Sequence, residues 1–347
     1  MRYKILGRSG LKVSEICLGT MTFGDDWGWG GSKEESRKMF DAFVNAGGNF
    51  IDTANNYTNG TAETLVGEFI HPGREKYVVA TKYSLNTNSK DPNSGGNHKK
   101  SLVQSLERSL KRLHTDFIDL FWLHAWDSLT GTEEVMRALD DQIRVGKILH
   151  IGISDTPAWV IAKSNTLAEL RGWSSFTALQ TQYNLIERTS ERELFPMCKA
   201  FDLAVTAWAP LGGGILTGKY YQNTNEPKRY TTDTRMASVL NVERNKKITE
   251  IVVEIAAEIK RSPAQVALRW VLEKNDKNVM IPIIGGRSEK QVTDVLGSLG
   301  FSLTGEQMNR LEEVSGISLG FPNEFIYSPF VRMLMYGETA DQIDLFK

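Results

Sequence analysis

Four ionisable side chains stand at or just past the ends of short apolar runs. Asp52 closes Asn49–Asp52 (NFID), Lys82 follows Tyr77–Thr81, His124 follows Phe117–Leu123 (FIDLFWL), and Tyr57 lies a few residues beyond Asp52. Each alone has an ordinary structural use. Asp52 serves as a helix cap, Tyr57 as a packed loop aromatic, Lys82 as a solvated charge and His124 as a hydrogen-bonded core histidine. Together they suit one chemistry. A lysine held by an aspartate beside a tyrosine favours the phenolate and draws the phenol pKa down from about 10 towards working pH. A phenol tuned in this way donates a proton to a developing alkoxide.

Only a fold that brings strand ends together gathers these four residues. The chain supplies one. Strand-like runs at Glu15–Gly19, Asn49–Asp52, Tyr77–Thr81, Phe117–Leu123, Ile148–Ile153, Ala178–Gln182, Ala204–Ala207 and Val279–Ile281 alternate with helical patterns. The helices read as Lys33–Ala46, Ala62–Ile70, Lys100–Leu113, Thr132–Val145, Trp159–Leu170, Glu191–Ala200, Val242–Ile259 and Glu289–Leu296. Thr132 is the expected N-cap of its helix and Gly146 the C-cap. Near-continuous apolar strands joined by crossover helices predict a parallel sheet covered by helices. Eight such pairs predict an α/β fold, a closed (β/α)8 TIM barrel. Tyr3–Ile5 and Leu11–Val13 predict an N-terminal β-hairpin that plugs the barrel's N-terminal mouth. Residues from Leu319 form a C-terminal extension with several aromatics, placed over the pocket or against the outside. No linker divides the chain, so residues 1–347 are expected to form one domain. The two long polar stretches, Ser84–Lys100 and Leu211–Leu240, each follow a strand and belong at the C-terminal face.

Composition narrows the partners. The 347 residues carry 41 Lys plus Arg against 42 Asp plus Glu, a net charge of −1, with 41% hydrophobic residues. A nucleic-acid or polybasic membrane binder shows a positive surplus, and no apolar run approaches a membrane span. Neither nucleic acid nor membrane is therefore an expected partner. A homo-oligomer is left open. Cys17 and Cys198 form neither a CxxC pair nor a disulfide framework, and the N-terminus lacks a continuous apolar core, so a cytoplasmic location is expected. No HExxH, paired CxxC or histidine cluster suggests a metal. Gly213–Lys219 spells most of a phosphate loop, but Tyr220 stands where the magnesium-binding hydroxyl belongs.

The chain carries the runs LGTMTFG at Leu18–Gly24, IDTANNY at Ile51–Tyr57, ATK at Ala80–Lys82 and DFIDLFWLHAWD at Asp116–Asp127. VGKILHIGIS at Val145–Ser154, QTQYNLIER at Gln180–Arg188, WAPLGGGILTGKY at Trp208–Tyr220 and IPIIGGRSEKQ at Ile281–Gln291 follow in order. With these runs the chain resembles an aldo-keto reductase over nearly its whole length. The resemblance implies reduction of a small aldehyde or ketone by hydride from a nicotinamide cofactor, an alcohol-dehydrogenase type of activity. Tyr57 takes the proton-donor position, Lys82 lowers its pKa, Asp52 holds Lys82, and His124 orients the carbonyl. For the cofactor it implies Trp208 stacked on nicotinamide, Ser154 and Gln180 at the carboxamide, and Leu211, Gly213 and Lys219 around the pyrophosphate. Gly285, Arg287 and Gln291 fall at the adenosine end, and Thr20 within LGTMTFG is grouped with the cofactor residues. Because a guanidinium binds phosphate bidentately, Arg287 favours NADP(H), with NAD(H) as the alternative.

Two positions depart from the family's pattern. Asp155 replaces a frequent asparagine and accepts hydrogen bonds without donating any when ionised. Val295, preceded by Asp294, replaces a frequent adenine-contacting asparagine.

Trp27, Tyr83 and Trp126 are candidate substrate residues, with Phe23, Trp29 and Tyr183 beside them in an aromatic bowl. Two other readings stand beside reduction. One is a redox-sensing, cofactor-binding partner subunit like the channel-associated β subunits that share this fold. The other is a barrel aldolase or isomerase using Lys82 as a Schiff base.

Overall fold

A computed structural model describes residues 1–221, 239–240, 242–274 and 279–343. Most of the expected 211–240 loop, and the last four residues of the extension, lie outside the described residues. Eight strands close a parallel barrel: β3 (Cys17–Gly19), β4 (Phe50–Asp52), β5 (Val78–Tyr83), β6 (Ile118–Leu123), β7 (Ile148–Ser154), β8 (Ala178–Gln182), β9 (Ala204–Trp208) and β10 (Met280–Ile284). They neighbour one another in chain order, and β10 closes onto β3. Before them, β1 (Tyr3–Ile5) and β2 (Lys12–Ser14) form the antiparallel hairpin, with Tyr3 opposite Ser14. The fold is the expected (β/α)8 TIM barrel with an N-terminal hairpin.

Side chains two residues apart on a strand share a face, which sorts the core into two layers. Phe50, Ala80, Leu120, Trp122, Ala178, Ala204 and Ile281 fill the barrel interior. Ile51, Val79, Phe121, Leu123, Ile151, Leu179 and Val205 pack outward under the helices. The interior layer is completed from below by Leu6 and Val13 of the hairpin. Arg8 N–H donates to Asp202 O at 2.9 Å, and Lys4 Nζ to Met280 O at 2.6 Å, so the plug is tied to the starts of β9 and β10. Gly7 is the hinge of this contact. Its φ is +53°, and a Cβ there would lie 2.2 Å from Thr177 O. Inside the barrel Gly152 leaves room for Trp122, whose ring would meet a Cβ at 2.3 Å.

Helix ends differ in detail from the expectation. The N-cap of the fourth barrel helix, Thr132–Arg144, is Gly131, not Thr132, and it makes no side-chain cap bond. Gly146 lies one residue past the Val145 cap, with φ +77°. Helices at Pro263–Glu273 and Gly305–Ser315 were not among the expected elements. Both carry clear start signals. Ser262 Oγ accepts from Gln265 N–H at 3.1 Å ahead of Pro263, and Thr304 with Gln307 forms a reciprocal capping box. No helix among the described residues is long and apolar enough to cross a membrane.

Candidate active site

The period-2 rule decides which polar residues reach the mouth. Asp52 follows Phe50, Lys82 follows Ala80, His124 follows Trp122, Gln180 follows Ala178 and Ser154 follows Gly152, each two residues on along the inward face. Lys82 is fully buried and is the hub. Its ammonium donates to the Asp52 carboxylate, to Thr53 O at 2.7 Å and to Tyr57 Oη at 3.2 Å. Asp52 also accepts from Gln180 Nε2 at 3.1 Å. The His124 ring meets Tyr57 edge-on, with centroids 6.0 Å apart. Tyr57 begins a tight turn in which Thr58 and Asn59 take left-handed φ of 43° and 57°. Thr58 Oγ1 donates to Phe23 O at 2.7 Å and so pins that turn to the loop after β3.

Electrostatics fix the protonation states. Burial opposes charge on Lys82, but Asp52 and Tyr57 outweigh it and its pKa is raised, so it stays an ammonium. Burial pushes Asp52 up, while Lys82 and Gln180 pull it back. Tyr57 is raised by burial. Lys82 counters that shift and Asp52 adds to it. The sequence-based expectation of a phenol drawn below 10 therefore fails, because it left out the desolvation of a deeply placed hydroxyl. Burial, and then the Lys82 charge, hold His124 well below 6.5, so its imidazole is neutral.

Around the quartet, Trp208 closes β9, and its indole N–H donates to Asp155 Oδ1 at 3.2 Å. Asp155 and Ala209 both take positive φ, at 40° and 50°. Strained residues at strand ends are typical of sites that fix side-chain direction. Ser154 Oγ and His124 Nδ1 are buried and lack hydrogen-bond partners among the described residues. Thr20 sends both its amide and its Oγ1 to Asp52 O, at 2.9 and 3.1 Å, bracing β3 against β4. Leu211 O accepts from Gly214 N–H at 3.0 Å, and Gly213 has φ +65°, giving the loop a glycine-built turn. Lys219 lies against that turn, its Cε 3.1 Å from a Cβ position on Gly214. Gly285 packs beside Gly19 O, and Gln291 Oε1 accepts from Arg287 N–H at 2.7 Å. The Arg287 guanidinium lies 5.8 Å from the Trp29 ring and has no carboxylate partner among the described residues.

Four candidate residues are engaged elsewhere. Tyr83 follows inward-facing Lys82 by one residue, so it faces outward. It is fully buried, stacks on Phe121 at 5.3 Å and donates to Asn97 O at 3.3 Å. It packs under the helices and lines no bowl. Phe23 and Tyr183 are buried in the same outer core. Asp294 is already engaged, accepting from Ser262 Oγ at 2.8 Å and from Gln265 Nε2 at 2.9 Å, which joins two helices. Trp27 and Trp126 remain half-buried, with Trp27 5.6 Å from Trp29. The residues missed from sequence are Thr53, whose carbonyl helps seat Lys82, and Gln180 in its contact with Asp52. No sequence spacing reports a pair 128 residues apart. Among the described residues no group of three or more His, Cys, Asp or Glu is placed to hold a metal ion.

Fold and site together define a (β/α)8 barrel with a buried Asp–Lys–Tyr cluster and a histidine at its C-terminal mouth. The chain belongs to the Aldo/keto reductase family, whose model matches residues 15–315. It is 36% identical to a putative aryl-alcohol dehydrogenase of Saccharomyces cerevisiae over 94% of this chain and 89% of that protein. It is 33% identical to a norsolorinic acid reductase of Aspergillus flavus over 98% of this chain and 88% of that protein. An aryl-alcohol dehydrogenase [NADP(+)] of Phanerodontia chrysosporium is 36% identical over 96% of this chain and 88% of its own length. The protein is thus an oxidoreductase of carbonyls and alcohols.

Proposed function

We propose that the chain reduces aryl aldehydes or ketones to alcohols, reversibly, with NADP(H) as the preferred nicotinamide cofactor. The observation that carries this reading is the Lys82 ammonium bridging the Asp52 carboxylate and the Tyr57 hydroxyl. The mouth suits a nicotinamide cofactor. It offers an indole face at Trp208, acceptors on Gln180 and Asp155, a buried hydroxyl at Ser154 and a guanidinium at Arg287. Among the described residues that hydroxyl has no hydrogen-bond partner and that guanidinium no carboxylate partner. When bound, the cofactor supplies hydride to the carbonyl carbon.

The protein's own residues handle the proton. Tyr57 holds its proton at neutral pH, because burial raises its pKa, and delivers it to the carbonyl oxygen. Lys82 then faces a phenolate across 3.2 Å and stabilises it without reorganising. Asp52 keeps Lys82 charged. Neutral His124 presents a ring N–H to the carbonyl oxygen as an uncharged donor. Hydride and proton together complete the two-electron reduction.

Half-buried Trp27 and Trp126, and the aryl-alcohol names of the relatives, favour an aromatic substrate. Arg287 and the NADP(+) named for one relative favour the phosphorylated cofactor. Two buried free cysteines suit a reducing cytoplasm. A Schiff base needs a neutral lysine, which Asp52 opposes at Lys82. The test is Tyr57→Phe, assayed by reduced-cofactor absorbance with an aryl aldehyde. Turnover should fall by about 10²–10⁴-fold, the usual contribution of a general acid, while cofactor affinity is kept. Full activity in that variant would refute the mechanism.

A further inference from the structure

After the last barrel-covering helix the chain continues into an extension beyond the family-matched residues 15–315. Its surface is unlike the rest of the molecule. Phe321, Tyr327, Phe330, Met333, Leu334 and Met335 are each 61% to 85% exposed. The segment is nonetheless ordered. Ser328 caps the helix Pro329–Tyr336, Arg332 Nη2 donates to Ala340 O at 2.5 Å, and Val331 is buried. Arg192, past the end of β8, donates to Ser318 O at 3.0 and 3.1 Å, and Asn323 Nδ2 donates to Arg192 O at 3.2 Å. The barrel therefore holds the extension in place and leaves its apolar face bare. Phe330, Met333 and Leu334 stand at i, i+3 and i+4, one continuous stripe on one side of that helix.

We propose that this stripe, with Phe321 and Tyr327 beside it, is the subunit interface with a second copy of the chain. Area supports the assignment. With about 200 Å² presented by a large apolar side chain, the stripe with Phe321 and Tyr327 exposes roughly 700 Å². Monomers rarely leave apolar patches above about 600 Å², whereas a standard interface buries about 800 Å² on each partner. Charge selects the occupant. Residues 319–343 carry Arg332 against Glu324, Glu338 and Asp341, a net of 1 − 3 = −2, which anionic lipid repels. The stripe itself carries no charge, so a twofold axis through it sets no like charges face to face. Met333 adds an unbranched side chain that adapts at a self-complementary contact.

Sedimentation over a dilution series of the full chain tests the proposal. The wild type should be a dimer. Phe330→Glu with Leu334→Glu should raise the dimer dissociation constant at least about 100-fold, with unchanged circular dichroism and turnover. Should that pair fail to fold, Met333→Cys gives a second reading. Cys17 and Cys198 are buried, so mild oxidation should cross-link copies through the new thiol. A monomeric wild type, or a dimer indifferent to both glutamates and not cross-linked by Met333→Cys, overturns the proposal. So does wild-type binding to phosphatidylserine vesicles that the double variant loses.

Discussion

In the proposed mechanism Lys82 holds the chemistry together, because its fully buried ammonium gives its hydrogen bonds to Asp52, Thr53 O and Tyr57. Its pKa is raised, that of Tyr57 is raised, and that of His124 is lowered. These directions set a pH profile. In the proposed mechanism reduction needs Tyr57 protonated, and that form persists until pH rises past its raised value, above 10. It also needs neutral His124, and that form persists down to well below 6.5. Carbonyl reduction at saturating cofactor should therefore stay level from about pH 6.5 to 9, outside both titrations. A bell centred near 7 would contradict the assigned states. Stability carries the opposite face of the same shift. His124 has a folded pKa below its unfolded one, so its contribution is present above about 6.5 and is lost as pH falls below it.

At the scale of elements, the loop after the second barrel helix is tied to β6 and the turn before it by one arginine. Arg74 Nη2 donates to Asp119 Oδ2 at 2.6 Å and to Phe117 O at 3.0 Å, and Nε reaches Thr115 Oγ1 at 3.0 Å. Both charged partners are nearly buried, at 10% side-chain exposure each. Arg74→Ala should lower unfolding stability by about 3–5 kcal/mol in urea titration, because it strands Asp119 without its cation. A loss under about 1 kcal/mol would mean the pair is solvated in solution. The sequence discloses such elements unevenly. Strand runs such as FIDLFWL are legible because burial on both faces leaves them uniformly apolar. The direction of Tyr83 was legible too, since one step from Lys82 reverses the face. Reading residues only as lying near a strand end discards that parity. The helices Pro263–Glu273 and Gly305–Ser315 carried capping signals but fall outside the strand–helix alternation used to count units. The Gln180–Asp52 bond and the hold of Thr53 O on Lys82 depend on barrel closure, which no local pattern encodes.

For the whole molecule, a net charge of −1 gives little long-range pull on an anionic cofactor. Attraction must come from local cations, and Arg287 lies 5.8 Å from the Trp29 ring without a carboxylate partner among the described residues. The screening length shrinks from about 30 Å at 0.01 M salt to about 10 Å at 0.1 M, so exposed pairs weaken over that range. If Arg287 meets the 2′-phosphate, NADPH affinity should fall with salt more steeply than NADH affinity. Fluorescence titration of both cofactors across that range measures the two slopes. In Arg287→Ala the slopes should converge, and NADPH should bind about tenfold more weakly, the equivalent of about 1.4 kcal/mol. Slopes that stay apart in the variant would place the phosphate on another cation of the mouth, with Lys219 the first to replace. The near-neutral total is what makes this separation possible, because the salt response then reports the local site and not the field of the whole protein.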